Sequence, residues 1–417
     1  MTALHAPALA YNTLIVAVGV AAVGFAAGVV GSLALLRKRP LVGDAAAHAT
    51  LVGVAAAFLA TGRRDLPTLL AGALVSAVAG LAALVAVRRF TRTRDDAATA
   101  LVIGVSFGAG VALLSGITAR GLPGGAGLEQ FLLGHTAALA ARDAVLLAAV
   151  SCLAVLLVTA AFKEAVAVAF DAAFAAATGW PVAWIDVALV ALVAVMVVVG
   201  LPAAGAVLVT ALVVIPPVAA RQWTDRAATM LLLAGGVGLL SALAGVAASA
   251  AVPGLPTGPL VVLVAAAICA ASFVVAPRRG WLARRMAERA VRRQWLRGLA
   301  LEHCLRAAEA GAGGCSPGDI EGRLAGDTAW GGRAARVAWD ELVRGQAVVP
   351  APGRGGLWQL SASGRAAALE RRQRIDAWQA IIEVAPEAAR ESLSIDLPAP
   401  EAVLDAGLIT ALRRGHV

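Results

Sequence analysis

Charge is scarce in this 417-residue chain: Asp, Glu, Lys and Arg together make up 15% of it, where soluble globular domains carry roughly a quarter. With 60% hydrophobic residues and a mean hydropathy of +0.82, the composition excludes an ordinary soluble protein and implies an integral membrane protein. Aromatic residues are few as well, at 5% with a single Tyr. The apolar stretches are built instead from Ala, Gly and Val, which lets helix backbones approach closely in a packed bundle. The four cysteines form no C-x-x-C pair: Cys152 and Cys269 lie in apolar stretches, Cys304 and Cys315 in the tail. Nothing therefore suggests a disulfide framework or a zinc knuckle. No G-x-x-x-x-G-K-[ST] loop is present, so nucleotide hydrolysis by this chain is set aside and no catalytic residue is expected.

Stretches of roughly 20 apolar residues mark membrane spans. They fall near 11–36, 44–61, 66–87, 97–117, 143–161, 181–200, 202–220, 227–251 and 258–276. The expectation is an all-α polytopic bundle of about nine spans. Eight is the alternative, if Gly-Leu-Pro-Ala-Ala-Gly over 200–205 kinks a re-entrant pair instead of making a tight turn. No basic region precedes Leu14 and the first apolar run continues to Leu36, so it reads as a span and not as a cleavable signal.

The apolar segments stop near Pro277, and the residues from Arg278 onward hold 21 Arg against 16 Asp and Glu, a balance of +5 without any Lys. The expected organisation is a transmembrane domain over 1–277, an Arg-rich juxtamembrane helix over 278–297, a small soluble domain over 298–374, and a helical or partly disordered tail over 375–417. Arg37, Lys38 and Arg39, then Arg88, Arg89, Arg92 and Arg94, then Lys163, Arg221, Arg226, Arg278 and Arg279 recur in alternate connections. Positive charge marks the cytoplasmic side. The N-terminus is then expected outside and the C-terminus inside, in a multi-pass protein of the cytoplasmic (inner) membrane. Gly-rich connections at 121–127 and 252–259 fall on the outer side, as plausible rims of a pore mouth.

Two ionisable residues break the apolar pattern at the head of the second span. Asp44 and His48, in Gly-Asp-Ala-Ala-Ala-His over 43–48, stand four positions apart and share a helix face. A hard carboxylate oxygen beside a borderline imidazole nitrogen suits divalent first-row cations, and ionisable groups inside spans are costly and usually functional. The plainer alternative makes Asp44 an N-cap after Pro40 and Gly43 and His48 a buried, hydrogen-bonded histidine. His135, near the outer loop, is a weaker metal candidate and otherwise a helix-end residue. Between Lys163 and Trp180, Phe170 and Phe174 are interspersed with Lys163, Glu164 and Asp171 and the run ends at Thr178 and Gly179. Short helices are expected here, offering a docking surface.

These motifs, in this order, resemble the metal-ion ABC transporter permeases, the zinc, manganese and iron importers. The resemblance rests on residues 31–39 and 41–48, on Leu-Glu-Gln-Phe-Leu-Leu-Gly over 128–134, on 170–179, on 205–217 and on 254–259, and it covers nearly all of 11–277. It implies a permease pair with a pore at the subunit interface, formed with a second copy or a sister permease. Cytoplasmic ATPase subunits would drive it and an extracytoplasmic metal-binding protein would feed it. It further implies that Asp44 and His48 contact the transported ion, which is cargo and not a permanently bound cofactor, and that Phe170, Asp171, Phe174 and Gly179 dock the ATPase. Ala172 and Ala173 replace the usual Pro-Glu, and His135 stands where Asn is usual. A permease for a chelated-metal cargo and a membrane-tethered transcription regulator are the competing readings.

The tail suggests a different module. A helix over 299–311, a capped helix start at Ser316, a helix over 332–345 and two short strands around 352–355 follow the order of a winged helix. With the helix after Ser361 the region resembles the iron-dependent repressor family, although the metal-sensing positions of that family are not recognisable. Arg333, Arg336 and Arg354 are placed for phosphate contact, yet Gly332, Ala334, Ala335 and Ala338 leave little base-reading chemistry. Regulation or assembly is the expected role. Arg284, Arg285, Arg289, Arg292, Arg293 and Arg297 suit anionic lipid better than nucleic acid.

Overall fold

Long runs without interior charge leave the backbone no partner but itself, and helices are the result. The computed structural model describes residues 5–39, 41–63, 65–121, 140–252, 255–312, 314–327, 332–353 and 355–384. It divides into two compact units, Met1–Ala283 and Arg284–Val417. The first holds α1 (His5–Leu36), α2 (Val42–Thr61), α3 (Leu66–Phe90), α4 (Asp95–Ala119), α5 (Ala141–Ala160), the short α6 (Phe162–Phe170) and α7 (Ala172–Ala177), α8 (Val182–Arg221), α9 (Ala227–Ala251) and α10 (Thr257–Val275).

Among the described residues, eight helices are long and apolar enough to cross a membrane, which corrects the expected nine. The difference lies in α8, where Gly205 takes φ 78° and ψ 161° and breaks the helical run. Beyond it only Leu208–Arg221 is helical and apolar, about 21 Å at 1.5 Å per residue, short of the ~30 Å hydrocarbon core. That leg doubles back on the first. A methyl group added at Gly200 would lie 2.7 Å from Val209 Cγ2, and one at Gly43 would lie 3.5 Å from both Val193 Cγ1 and Val213 Cγ1. Asp186, near the start of α8, meets Arg37, while Ala220, near its end, packs with Leu35 and Leu36. Both ends of α8 therefore stand at the C-terminal end of α1, and the second leg of α8 is a short return and not a ninth span.

Glycine sets the spacing of the central helices. A Cβ at Gly24 would fall 2.6 Å from the Gly238 carbonyl oxygen, one at Gly28 2.3 Å from that of Ala234, and one at Gly53 2.0 Å from that of Gly72. Contacts this close require the absence of a side chain, so α1 lies directly on α9 and α2 directly on α3. We expect Gly28→Ala to lower the stability of the detergent-purified protein by about 1–3 kcal/mol through overpacking. Gly236→Ala, whose added methyl meets nothing within 4 Å, should unfold at the wild-type temperature or slightly above it, since alanine is the better helix former by up to about 1 kcal/mol.

The end of the bundle where α1 stops is basic. Arg37 and Arg39 meet Asp186 there, Arg88 meets Asp95, and Arg221, Arg278 and Arg279 surround Asp225. Desolvation raises the Asp225 carboxyl, but Arg279, Arg278 and Arg221 outweigh it and hold the group below the usual carboxylate range.

Residues expected to form two helices, over 278–297 and 299–311, form one instead, α11 (Trp281–Glu309). Gly298 does not interrupt it, because the missing side chain makes room for the Arg371 guanidinium: a Cβ there would lie 2.2 Å from Arg371 Cζ. In the second unit α12 (Pro317–Asp327), α13 (Gly332–Arg344), β1 (Val348–Pro350), β2 (Trp358–Leu360) and α14 (Ala362–Val384) follow. Ser316 caps α12 by accepting from the Asp319 amide at 3.1 Å. The strands pair antiparallel, Val348 with Leu360 and Pro350 with Trp358, and Cys315 bridges to Trp358. Leu296, Leu305, Leu324, Leu342 and Val348 close the core, with Trp339 edge-on to Trp358 at 6.0 Å. The free thiols of Cys304 and Cys315 meet inside it, Sγ to Sγ 2.8 Å. The hydrogen bond with Cys315, added to burial, drives the Cys304 thiol well above its ordinary range.

Candidate functional site

The α1–α2 turn is tight. Arg37 N–H and Arg39 N–H donate to Leu33 and Ala34 carbonyls, Val42 N–H donates to Arg39, and Lys38 takes φ 57°. The turn delivers Asp44 as the third residue of α2. The capping alternative does not hold: the cap position is Leu41, and no side chain caps this helix. In the first turn, Asp44 instead gains from the positive end of the helix dipole.

One turn on, His48 Nε2 stands 3.5 Å from Asp44 Oδ1. The imidazole packs edge-on to Phe107 of α4, ring centroids 5.4 Å apart and planes at 90°, which fixes the ring orientation. Side-chain exposures of 40% for Asp44 and 32% for His48 decide a second point. The pair opens outward from this chain and is not sealed in its core. Ionisable groups inside spans face a bundle interior or a water-filled cavity and not lipid, so such a face calls for water or a second protein surface. Among the described residues no third His, Cys, Asp or Glu joins the pair, so these supply two donors.

Between α5 and α8 the two expected short helices are present. Asp171 ends α6 and caps α7, its Oδ1 accepting from the Phe174 amide at 2.9 Å. Gly179, at φ 90°, turns the chain out of α7. Phe170 and Phe174 stand 65% and 64% exposed, two large rings on a segment that also carries Lys163 and Glu164.

Arg37 reaches this segment, a connection that sequence reasoning missed. Its Nη1 donates to the Val168 carbonyl of α6 at 2.6 Å, and its Nη2 meets both oxygens of Asp186 at 2.5 Å. The one signal available in the sequence is that Asp186 is an acid inside an apolar run. In the second unit Arg333 is exposed at the start of α13, whereas Arg336 is engaged by Glu321 through two bonds of 3.0 Å. His135 and Arg354 lie outside the described residues.

The chain is 39% identical over 273 residues to the manganese transport system membrane protein MntC of Bacillus subtilis, a match covering 66% of this chain and 63% of that relative. It is equally 39% identical over 272 residues to the zinc transport system membrane protein TroC of Treponema pallidum, covering 65% of this chain and 91% of that one. Among solved structures it is similar to PsaBC from Streptococcus pneumoniae in complex with Fab, with a TM-score of 0.56 and 26% identity, over 66% of this chain and 95% of that one. The model of the ABC 3 transport family matches residues 10–276, from near the start of α1 to the end of α10. A helical membrane bundle with that match is a transport component, and the chain belongs to the ABC 3 transport family.

Proposed function

We propose that this chain is the membrane permease of an ABC importer that carries divalent transition-metal ions, manganese, zinc or iron, into the cytoplasm. The observation that carries the reading is the Asp44–His48 pair, a carboxylate and an imidazole 3.5 Å apart on an outward-opening face of an apolar helix. Two such faces, from two copies or from a sister permease, would bring four donors to one pathway. That suffices to hold an ion briefly without trapping it. The relatives named for manganese and for zinc transport agree with this donor set. Oxygen and nitrogen ligands accept all three metals, and selectivity then rests on geometry and availability.

The basic end of the bundle is assigned to the cytoplasm by its charge, which puts the start of α1 outside and Arg278 inside. Phe170, Asp171, Phe174 and Gly179 then face the cytoplasm as the dock for separate ATPase subunits, which supply the energy this chain lacks the residues to extract. An extracytoplasmic metal-binding protein delivers the ion on the opposite side. The order helix, helix, helix, strand, strand, helix in the second unit supports a winged helix, which we assign to regulation or assembly, with the Arg-rich start of α11 held by anionic lipid at about 1 kcal/mol per basic residue. Truncation after Ala283, at the unit boundary, is expected to leave an inserted permease that still transports, with altered regulation or assembly. Complete loss of uptake in that variant would contradict the assignment.

The test of the function is ATP hydrolysis by the reconstituted complex with each ion offered in turn. Stimulation by at least one of manganese, zinc or iron is expected, and hydrolysis indifferent to all three would overturn the reading.

A further inference from the structure

We propose that Arg37 and Asp186 form a strut through which the ATPase dock moves the metal pair, making both positioning residues for transport. The proposal rests on the reading of 170–179 as the dock and of Asp44 with His48 as metal contacts. Arg37 joins three elements at once: it ends α1, bonds the Val168 carbonyl of α6 at 2.6 Å, and grips both Asp186 oxygens of α8 at 2.5 Å. Its side chain is 14% exposed and that of Asp186 21%. The planar guanidinium divides its fork, Nη2 to the Asp186 carboxylate and Nη1 to the Val168 carbonyl, and a charge-assisted pair withdrawn from water in this way ties α8 and α6 to one rigid group. Arg39 adds a second cation to Asp186 at 3.7 Å.

On one side of the strut, Val168 lies two residues before Phe170. On the other, the tight turn from Arg37 to Val42 leads within one helical turn to Asp44. The head of α2 also rests on α8 itself, where Gly43 faces Val193 and Val213. A displacement of the dock has no slack to lose between Val168 and Asp44. A surface ion pair would be a poor transmitter, since exposed pairs contribute little and are screened; this one is shielded and joined to a backbone carbonyl.

The experiment uses the full chain with its ATPase and binding protein in sealed vesicles, with manganese as the probe. Metal moved and ATP hydrolysed are measured in the same vesicles, beside co-purification of the ATPase. Asp186→Asn strands a withdrawn guanidinium and is at risk of misfolding. Arg37→Lys therefore gives an independent reading, keeping the charge but losing the planar fork. In both variants the ATPase should still bind and hydrolyse ATP while metal moved per ATP falls about tenfold, within the range usual for energetic coupling between sites. Wild-type metal per ATP in Arg37→Lys would overturn the strut, and so would loss of the ATPase from the complex, which would make the pair part of the dock itself. A wild-type complex that moves no manganese, zinc or iron would instead overturn the functional reading beneath it.

Discussion

Asp44→Ala and His48→Ala are each expected to cut metal uptake by at least about 100-fold, since even the groups that merely support a metal ligand cost 10–100-fold when removed. Both variants should insert and purify as the wild type does. Neither side chain is buried in the core, neither caps α2, and among the described residues each is the other's polar partner. Loss of either therefore removes a ligand without opening a cavity or stranding a buried polar group. The two variants should also resemble each other, because a two-donor contribution from each chain fails when either donor is gone. Uptake at the wild-type rate in both, measured with radioactive ion in cells or vesicles, would remove these residues from the pathway.

The second large effect is expected at the dock. Phe170→Asp together with Phe174→Asp should release the ATPase or leave it hydrolysing without transport. Buried aromatic anchors contribute about 2–4 kcal/mol each at interfaces, so that binding should weaken by more than about 30-fold. The cap made by Asp171 and the turn at Gly179 do not involve the two rings, so α6 and α7 should persist. Normal uptake with unchanged subunit stoichiometry on co-purification would place the ATPase contact elsewhere.

Much of the bundle can be read from the chain because the bilayer imposes a length and forbids unpaired backbone. Asp44 and His48 stand out for the same reason: in an apolar helix a carboxylate and an imidazole are conspicuous. The second pass of α8 is harder to read, because the apolar run over 202–220 has the length of a span while Gly205 sets where helix begins again. Whether that glycine turns the chain or merely bends it depends on Val209 meeting Gly200 and Val213 meeting Gly43, contacts that no local pattern encodes.

The strut was hidden by sequence distance. Arg37 and Asp186 lie 149 residues apart, and each alone has an ordinary explanation, one as an orienting charge and the other as an interfacial acid. The tail shows the same division. Ser316 and the Val348 and Trp358 strands follow from cap chemistry and β propensity, whereas the continuity of α11 through Gly298 depends on Arg371 filling the space, and the meeting of Cys304 with Cys315 depends on core packing. Arg336 was placed for phosphate contact by position along its helix, but Glu321 already satisfies it; a nucleic-acid backbone would have to displace that partner.

The most direct test of the central claim is electron paramagnetic resonance of manganese held by the assembled complex, resolved for ligand nitrogen. The account predicts imidazole nitrogen coupling to the bound ion in the wild type and its disappearance in His48→Ala. A wild-type spectrum showing oxygen ligands alone, or the same nitrogen coupling in the His48→Ala complex, would contradict it.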